Sequence, residues 1–218
     1  MYVMSNKIDE IKAIADEMQQ LDFIKPGDIP NIDLYMDQVT TFMEKHLEHN
    51  RRNEEDKIIT KTMINNYTKN NLLPPPDKKR YSSEHIVLIT YIYYLKTMLS
   101  INDIQTFLQP MIDKTYNPGK DDISVDDTYR IVYKHLHDNF DEITDNIKHT
   151  VEEAATLYDP EENDYLYRMS VISLMSFDVY IKKKFIERLL DGMKDEQNAM
   201  KEKQETQEKK TEKSDDKK

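Results

Sequence analysis

The sequence predicts an all-α protein, and three observations carry that prediction. Only three glycines occur in 218 residues, too few for many tight hairpins, nucleotide-binding turns or phosphate-cradling loops. The dominant residue types are good helix formers. Apolar residues recur every three or four positions along most of the chain, the period of a helix with one buried face.

Composition bounds the class further. At 38% apolar and 33% charged residues, the chain reads as soluble, with polar extensions and room for one or two small domains. The absence of cysteine fits a reducing cytoplasm and excludes disulfides, thiolate zinc sites and cysteine catalysis. The N-terminal stretch MYVMSNKIDE lacks the apolar segment of a signal peptide. The best apolar run, residues 86–95, is shorter than the ~20 residues a membrane-spanning helix needs. The expected location is cytoplasmic, with no membrane partner.

Taken in order, Ser5 is the expected cap of a first helix, whose apolar stripe is Ile8, Ile11, Ala15, Met18 and Leu21. Lys25-Pro26-Gly27-Asp28 ends it. A second helix is expected over 33–47, with Leu34, Val39, Phe42, Met43 and Leu47 on one side. The polar run 49–56 reads as a loop or a frayed helix end. Thr60 caps a third helix lasting to about Asn71, and Pro74-Pro75-Pro76 must be extended. Ser82 or Ser83 caps a fourth helix to about Met98, apolar on most sides and therefore the expected centre of the core. Ser100 caps a short fifth helix ending near Pro110.

Asn117-Pro118-Gly119 reads as a domain boundary. Beyond it Val125, Tyr129, Val132, Leu136, Phe140, Ile143, Ile147, Val151, Ala154 and Tyr158 form a near-heptad stripe, the pattern of one long helix. After Asp159-Pro160, a second long helix carries Tyr165, Met169, Ile172, Val179, Ile186, Leu190 and Met193, so an antiparallel hairpin is expected. From Glu196 on, seven acids and seven bases with almost nothing apolar predict a disordered or transiently helical tail. The expected organisation is an N-terminal helix over 1–28, a second unit over 29–117, a helical hairpin over 118–195 and a charged tail over 196–218.

The stretch 60–108 points to function. A helix rich in Asn and Lys, a proline turn, a basic tripeptide and two apolar helices follow one another as in a winged helix-turn-helix. Net charge is −11, yet residues 51–80 hold eight Lys/Arg against four Asp/Glu, while residues 121–164 hold three against fourteen. A basic patch can bind phosphate if the acidic part lies away from it. On the third helix Lys61, Asn65 and Lys69 share a face, flanked by Thr62 and Asn66, with Met63, Ile64 and Tyr67 toward the core. Asn pairs with adenine and Lys reaches guanine or phosphate. Lys78, Lys79 and Arg80 place three cations at a loop tip, where they contact backbone phosphate without reading sequence. The plain alternative for each segment is a solvated helix face and a basic surface turn.

Residues 60–108 resemble the DNA-binding unit of MerR-type transcriptional regulators. Tyr67, Leu72-Leu73-Pro74, Arg80-Tyr81-Ser82 and Ser100-Ile101 stand at that family's spacing. Asn71 replaces its turn Gly, Asn65-Asn66 replaces its Arg-Tyr pair, and the loop 49–59 is longer than its tight turn. The resemblance implies a winged helix-turn-helix on duplex DNA, Lys61, Thr62, Asn65, Asn66, Tyr67, Lys69, Lys78, Lys79 and Arg80 as contacts, and a homodimer formed through residues 124–158. The whole chain is also similar to uncharacterised bacterial proteins carrying such a unit. The alternative is a helical protein–protein interaction module on the same fold, for which overall acidity speaks.

No Ser-His-Asp arrangement, HExxH or nucleotide loop appears, so no enzyme, catalytic residue or cofactor is expected. His46 and His49, near Glu44 and Glu48, read as a solvated helix end rather than a metal site. The Tyr and Met content of the hairpin permits a pocket for an unidentified small-molecule or protein effector.

Overall fold

The computed structural model describes residues 6–116 and 124–215. The expected Ser5 cap and the 117–119 turn lie outside them. Among the described residues the protein is mostly helical, with a single two-stranded sheet. Helix α1 spans Lys7–Glu17, strand β1 Leu34–Tyr35, α2 Met36–His46, α3 Lys61–Lys69, strand β2 Arg80–Tyr81, α4 Ser83–Leu95, α5 Ile101–Tyr116, α6 Val125–Asp138, α7 Phe140–Leu157 and α8 Asp164–Asp215. No helix among the described residues is long and apolar enough to cross a membrane.

The main core forms around α4. Ile86, Val87, Leu88, Ile89 and Ile92 are all essentially inaccessible to solvent, as an all-round apolar helix requires. Around it pack Val39 and Met43 of α2, Ile64 of α3, Ile104 and Leu108 of α5, and Val125 and Tyr129 of α6. The expected second helix begins later than 33, because Leu34 and Tyr35 pair antiparallel with Tyr81 and Arg80. Gln38 Oε1 accepts from the Tyr35 N–H at 2.8 Å and so tethers the strand to the first turn of α2.

The polar loop before α3 is pinned. Asn50 Oδ1 accepts from the Asp22 N–H at 2.8 Å, and its Nδ2 donates to the Asp22 carbonyl at 2.9 Å. Ile58 and Ile59 enter the core, and Lys96 Nζ donates to the Ile58 carbonyl at 3.2 Å.

Three expectations are corrected. First, α5 passes through Pro110 to Tyr116 instead of stopping there. A mid-helix proline removes the N–H that would bond the carbonyl four residues back, here Thr106. That carbonyl is satisfied instead by Gln197 Nε2 of α8, at 2.9 Å. Second, the expected single helix over 124–158 is two, parted at Asn139, whose φ of −112° and ψ of 12° leave the helical region. Asn139 Nδ2 donates to the His135 carbonyl at 2.7 Å, the local side-chain bond that competes with helix propagation. Third, the boundary at 117–118 does not separate two cores. Helix α6 packs on α4, and the Tyr129 hydroxyl donates to the Ile24 carbonyl at 2.6 Å. Helix α8 runs to Asp215, through Glu196, where the disordered or transiently helical tail is expected to begin. Lys, Glu and Gln favour the helix, so a charged tail can prolong one that is already nucleated.

The antiparallel hairpin is α7 with α8, joined by a short turn after Leu157. Helix α1, whose cap is Asn6, lies on it. Val151, Ala154, Tyr167 and Val171 form a second, smaller buried cluster there. Ion pairs Lys12–Glu152 and Lys148–Asp16, the latter at 2.6 Å, fix α1 to α7.

Candidate nucleic-acid interface

Helix α3 starts where Thr60 Oγ1 accepts from the Met63 N–H at 3.1 Å. Its amphipathic pattern then sorts the residues. Ile64 and Tyr67 are buried, while Lys61, Thr62, Asn65, Asn66 and Lys69 are all exposed. One side of α3 is therefore a row of amide, hydroxyl and ammonium groups. Tyr67, grouped by sequence with the contact residues, is only 7% exposed. Its helical position faces the core, burial pushes its phenol pKa up, and it anchors the row rather than extending it.

The helix ends through a left-handed residue. Asn71 has φ 56°, and the N–H of Leu72 donates to the Tyr67 carbonyl at 2.8 Å. Leu72 and Leu73 then bury, and the chain turns through Pro74-Pro75-Pro76 into a hairpin.

The hairpin turn is made by Asp77-Lys78-Lys79-Arg80, with the Arg80 N–H donating to the Asp77 carbonyl at 2.8 Å. Lys78 and Lys79 have φ of 46° and 66°. Two positive central φ angles are the type I′ pattern, which matches strand twist but favours Asn-Gly. Lysine there costs about 1 kcal/mol or more per residue. Both lysines are exposed, and Arg80 is half-buried.

Sequence reasoning missed the carboxylates that meet these cations. Lys61 pairs with Asp37, and Arg80 Nε lies 3.8 Å from Asp33 Oδ2. Asp33 and Asp37 flank β1, so Lys61 from α3 and Arg80 from the hairpin converge on one junction. Both pairs are well exposed and contribute little to stability. Neither acid has a sequence pattern that marks it, since the pairing is made by the strand register and not by spacing.

His85 holds the hairpin to α4. Ser82 N–H donates to His85 Nδ1 at 3.1 Å, and the ring is edge-on to Tyr81 at 5.5 Å. Burial lowers its pKa below the ordinary histidine value, more than the carbonyls of Pro74 and Pro75 raise it.

Other polar groups serve structure. His46 Nδ1 bonds the Phe42 carbonyl at 2.9 Å, and His49 Nδ1 lies 3.0 Å from Asp22 Oδ2. Among the described residues no group of three His, Asp or Glu is placed to hold a metal ion. A cavity of about 350 Å³ opens between residues 19–25 and the α6–α7 junction, walled by Phe23, Lys25, Tyr133, His137 and Phe140.

An all-α protein with one small hairpin thus carries a basic, amide-bearing surface on its main core. Residues 24–135 match the family described as Domain of unknown function (DUF1836). The match covers more than half of the chain, which therefore belongs to that family. It begins at Ile24 and ends in α6, and so takes in most of the main core, though not Leu190 of α8. No curated protein and no solved structure matches the chain.

Proposed function

We propose that the protein is a non-enzymatic, dimeric transcriptional regulator of the cytoplasm, whose α3 and hairpin form a MerR-like winged helix-turn-helix on duplex DNA. The observation that carries this reading is the turn at Lys78-Lys79. Two lysines occupy left-handed positions where Asn-Gly would be relaxed, and backbone strain of this kind persists at functional sites. The adjacent exposed face of α3 supplies Lys61, Asn65, Asn66 and Lys69, donors of the kind that meet base edges and phosphates. In this reading Lys78, Lys79 and Arg80 hold backbone phosphates, and Asp33 and Asp37 release Arg80 and Lys61 when DNA binds.

The test is a salt titration of binding to duplex DNA. Replacing Lys78, Lys79 and Arg80 by Ala should reduce the slope of log K against log salt by about 3, roughly one per lost phosphate contact. Asp37→Asn should tighten binding severalfold. Absence of binding at low salt, or an unchanged slope in the triple variant, rejects the reading.

A second reading has its own observation. Lys61 and Arg80 are already engaged by carboxylates, and the chain carries −11 overall. A protein partner with its own acidic groups would then replace Asp33 and Asp37. Under it, Asp37→Asn leaves DNA binding absent.

A further inference from the structure

Helix α8 carries apolar residues on two faces, and each face is covered over half its length. On one, Tyr167 and Val171 are buried against α7 and α1. On the other, Ile186, Leu190 and Met193 pack on the main core. The heptad of that second face continues toward the N-terminus through Lys183, Val179, Ser176, Ile172, Met169 and Tyr165, in alternating steps of three and four. Here, among the described residues, nothing covers it. Tyr165 is 77% exposed, Ile172 65%, Val179 55% and Met169 44%, with Tyr180 beside them at 57%. Single exposed apolar side chains are ordinary, but a contiguous row along one helix face marks an interaction site.

We propose that this row is the seam of a homodimer, in which two α8 helices pair antiparallel about a two-fold axis level with Leu174. Three features select a second copy as the occupant. The seam positions 165, 169, 172, 176, 179 and 183 read the same in both directions. Two-fold pairing therefore sets Ile172 against the partner's Ser176, Met169 against the partner's Val179 and Tyr165 against the partner's Lys183.

Charge is the second feature. The seam begins beside Asp159, Glu161, Glu162 and Asp164 and ends at Lys182, Lys183 and Lys184. Antiparallel pairing lays the acids of each copy along the lysines of the other, while parallel pairing stacks like on like. Area is the third. The five exposed side chains leave roughly 600 Å² to cover per copy, near the ~800 Å² per partner of a standard interface. Beside the seam, Ile11, Ile14, Met18, Arg168 and Ile172 wall an apolar hollow of about 360 Å³. The same two-fold brings the partner's Tyr180 to Arg168, where the ring can enter the hollow beneath the guanidinium.

This inference rests on the dimeric part of the reading above and moves its seam from 124–158 to α8; it is independent of DNA. The test measures the mass of the full chain by sedimentation equilibrium at tens of micromolar, without nucleic acid. The wild type should be a dimer. Ile172→Glu and Val179→Glu should each weaken the dimer by roughly 100-fold or more with helicity unchanged, because both side chains are exposed in a single copy. Ile181→Glu, 66% exposed on the opposite face, should leave the dimer intact. The chain has no cysteine, so Ile172→Cys and Ser176→Cys chains can be mixed and oxidised. A mixed disulfide is expected; a predominant 176–176 disulfide would mean parallel pairing and overturn the register. A monomeric wild type, or loss of the dimer in Ile181→Glu but not in Ile172→Glu, overturns the seam. A dimer that ignores DNA rejects only the nucleic-acid reading, and a monomer that binds DNA rejects only the seam.

Discussion

The core around α4 and the cluster shared by α1, α7 and α8 are built on different principles. The first surrounds a helix that is apolar on every side and closes over it with five other helices, the two-stranded sheet and a pinned loop. The second buries four residues between helices and leaves Tyr165, Ile172, Phe177, Ile181 and Phe185 more than half exposed. A helix with one apolar stripe is finished by one neighbour, whereas α8 carries apolar residues on two faces and has neighbours for only half of each. The first region is closed within a single copy, whereas the second leaves apolar side chains of α8 open to solvent.

The same substitution in both regions tests this most strongly. Val87 and Val151 are both fully buried, one in each cluster. Val87→Ala should cost about 2–3 kcal/mol in denaturant unfolding, because its close-packed surroundings cannot collapse onto the cavity. Val151→Ala should cost about 1 kcal/mol, since helices with open outer faces can shift to fill the space. Equal costs would erase the distinction between the two regions.

The hairpin turn separates what stabilises the first region from what it does. Lys78→Asn with Lys79→Gly places the preferred residues at φ of 46° and 66°. Stability should rise by about 1–2 kcal/mol as the strain is relieved, and under the proposed nucleic-acid reading affinity for duplex DNA should fall through loss of two cations. A variant that gains stability and keeps its DNA affinity would leave the two lysines without a functional reason.

Gln197 joins the two regions. Its Nε2 satisfies the Thr106 carbonyl left free by Pro110. Gln197→Ala should cost about 1 kcal/mol, the loss of one hydrogen bond to a half-buried carbonyl. In the background Pro110→Ala the restored N–H can take over that carbonyl, so the cost of Gln197→Ala should shrink. A cost unchanged by Pro110→Ala would mean that Gln197 acts through packing instead.

Much of the first region was legible because its signals are local. Thr60 and Ser82 cap where a hydroxyl precedes an apolar run, Asn71 takes the left-handed turn, and the apolar sequence of α4 states its own burial. The exposed row Lys61, Thr62, Asn65, Asn66 and Lys69 follows from helical period alone. What was not legible depends on partners distant in sequence. Ile58 and Ile59 sit in a polar loop with no period to mark them, and their burial depends on the anchors Asn50 and Lys96. Pro110 looks like a stop until Gln197 is seen to meet Thr106, 91 positions from it along the chain. The stripe over 125–158 is continuous in sequence, but the break at Asn139 gives its two halves to different cores.

The smallest expected effect separates the two regions by pH. His85 is buried in the first region, and burial holds its pKa below the ordinary value near 6.5. Nδ1 accepts from the Ser82 N–H, so a proton on that nitrogen would set two donors face to face. Above about pH 7 the ring is neutral folded or unfolded and contributes no pH dependence. As pH falls below about 6.5 the unfolded chain takes up the proton first, so stability falls with it. The midpoint of thermal unfolding of the first region should therefore begin to decline as pH falls below about 6.5, ahead of the carboxylate range. His85→Gln keeps an acceptor three residues after Ser82, the usual capping-box arrangement, and carries no charge. It should flatten that limb of the curve while leaving the plateau above pH 7 nearly unchanged. A probe on α7 should not follow the decline if the second cluster opens independently, and a parallel decline would show that the two regions unfold as one unit.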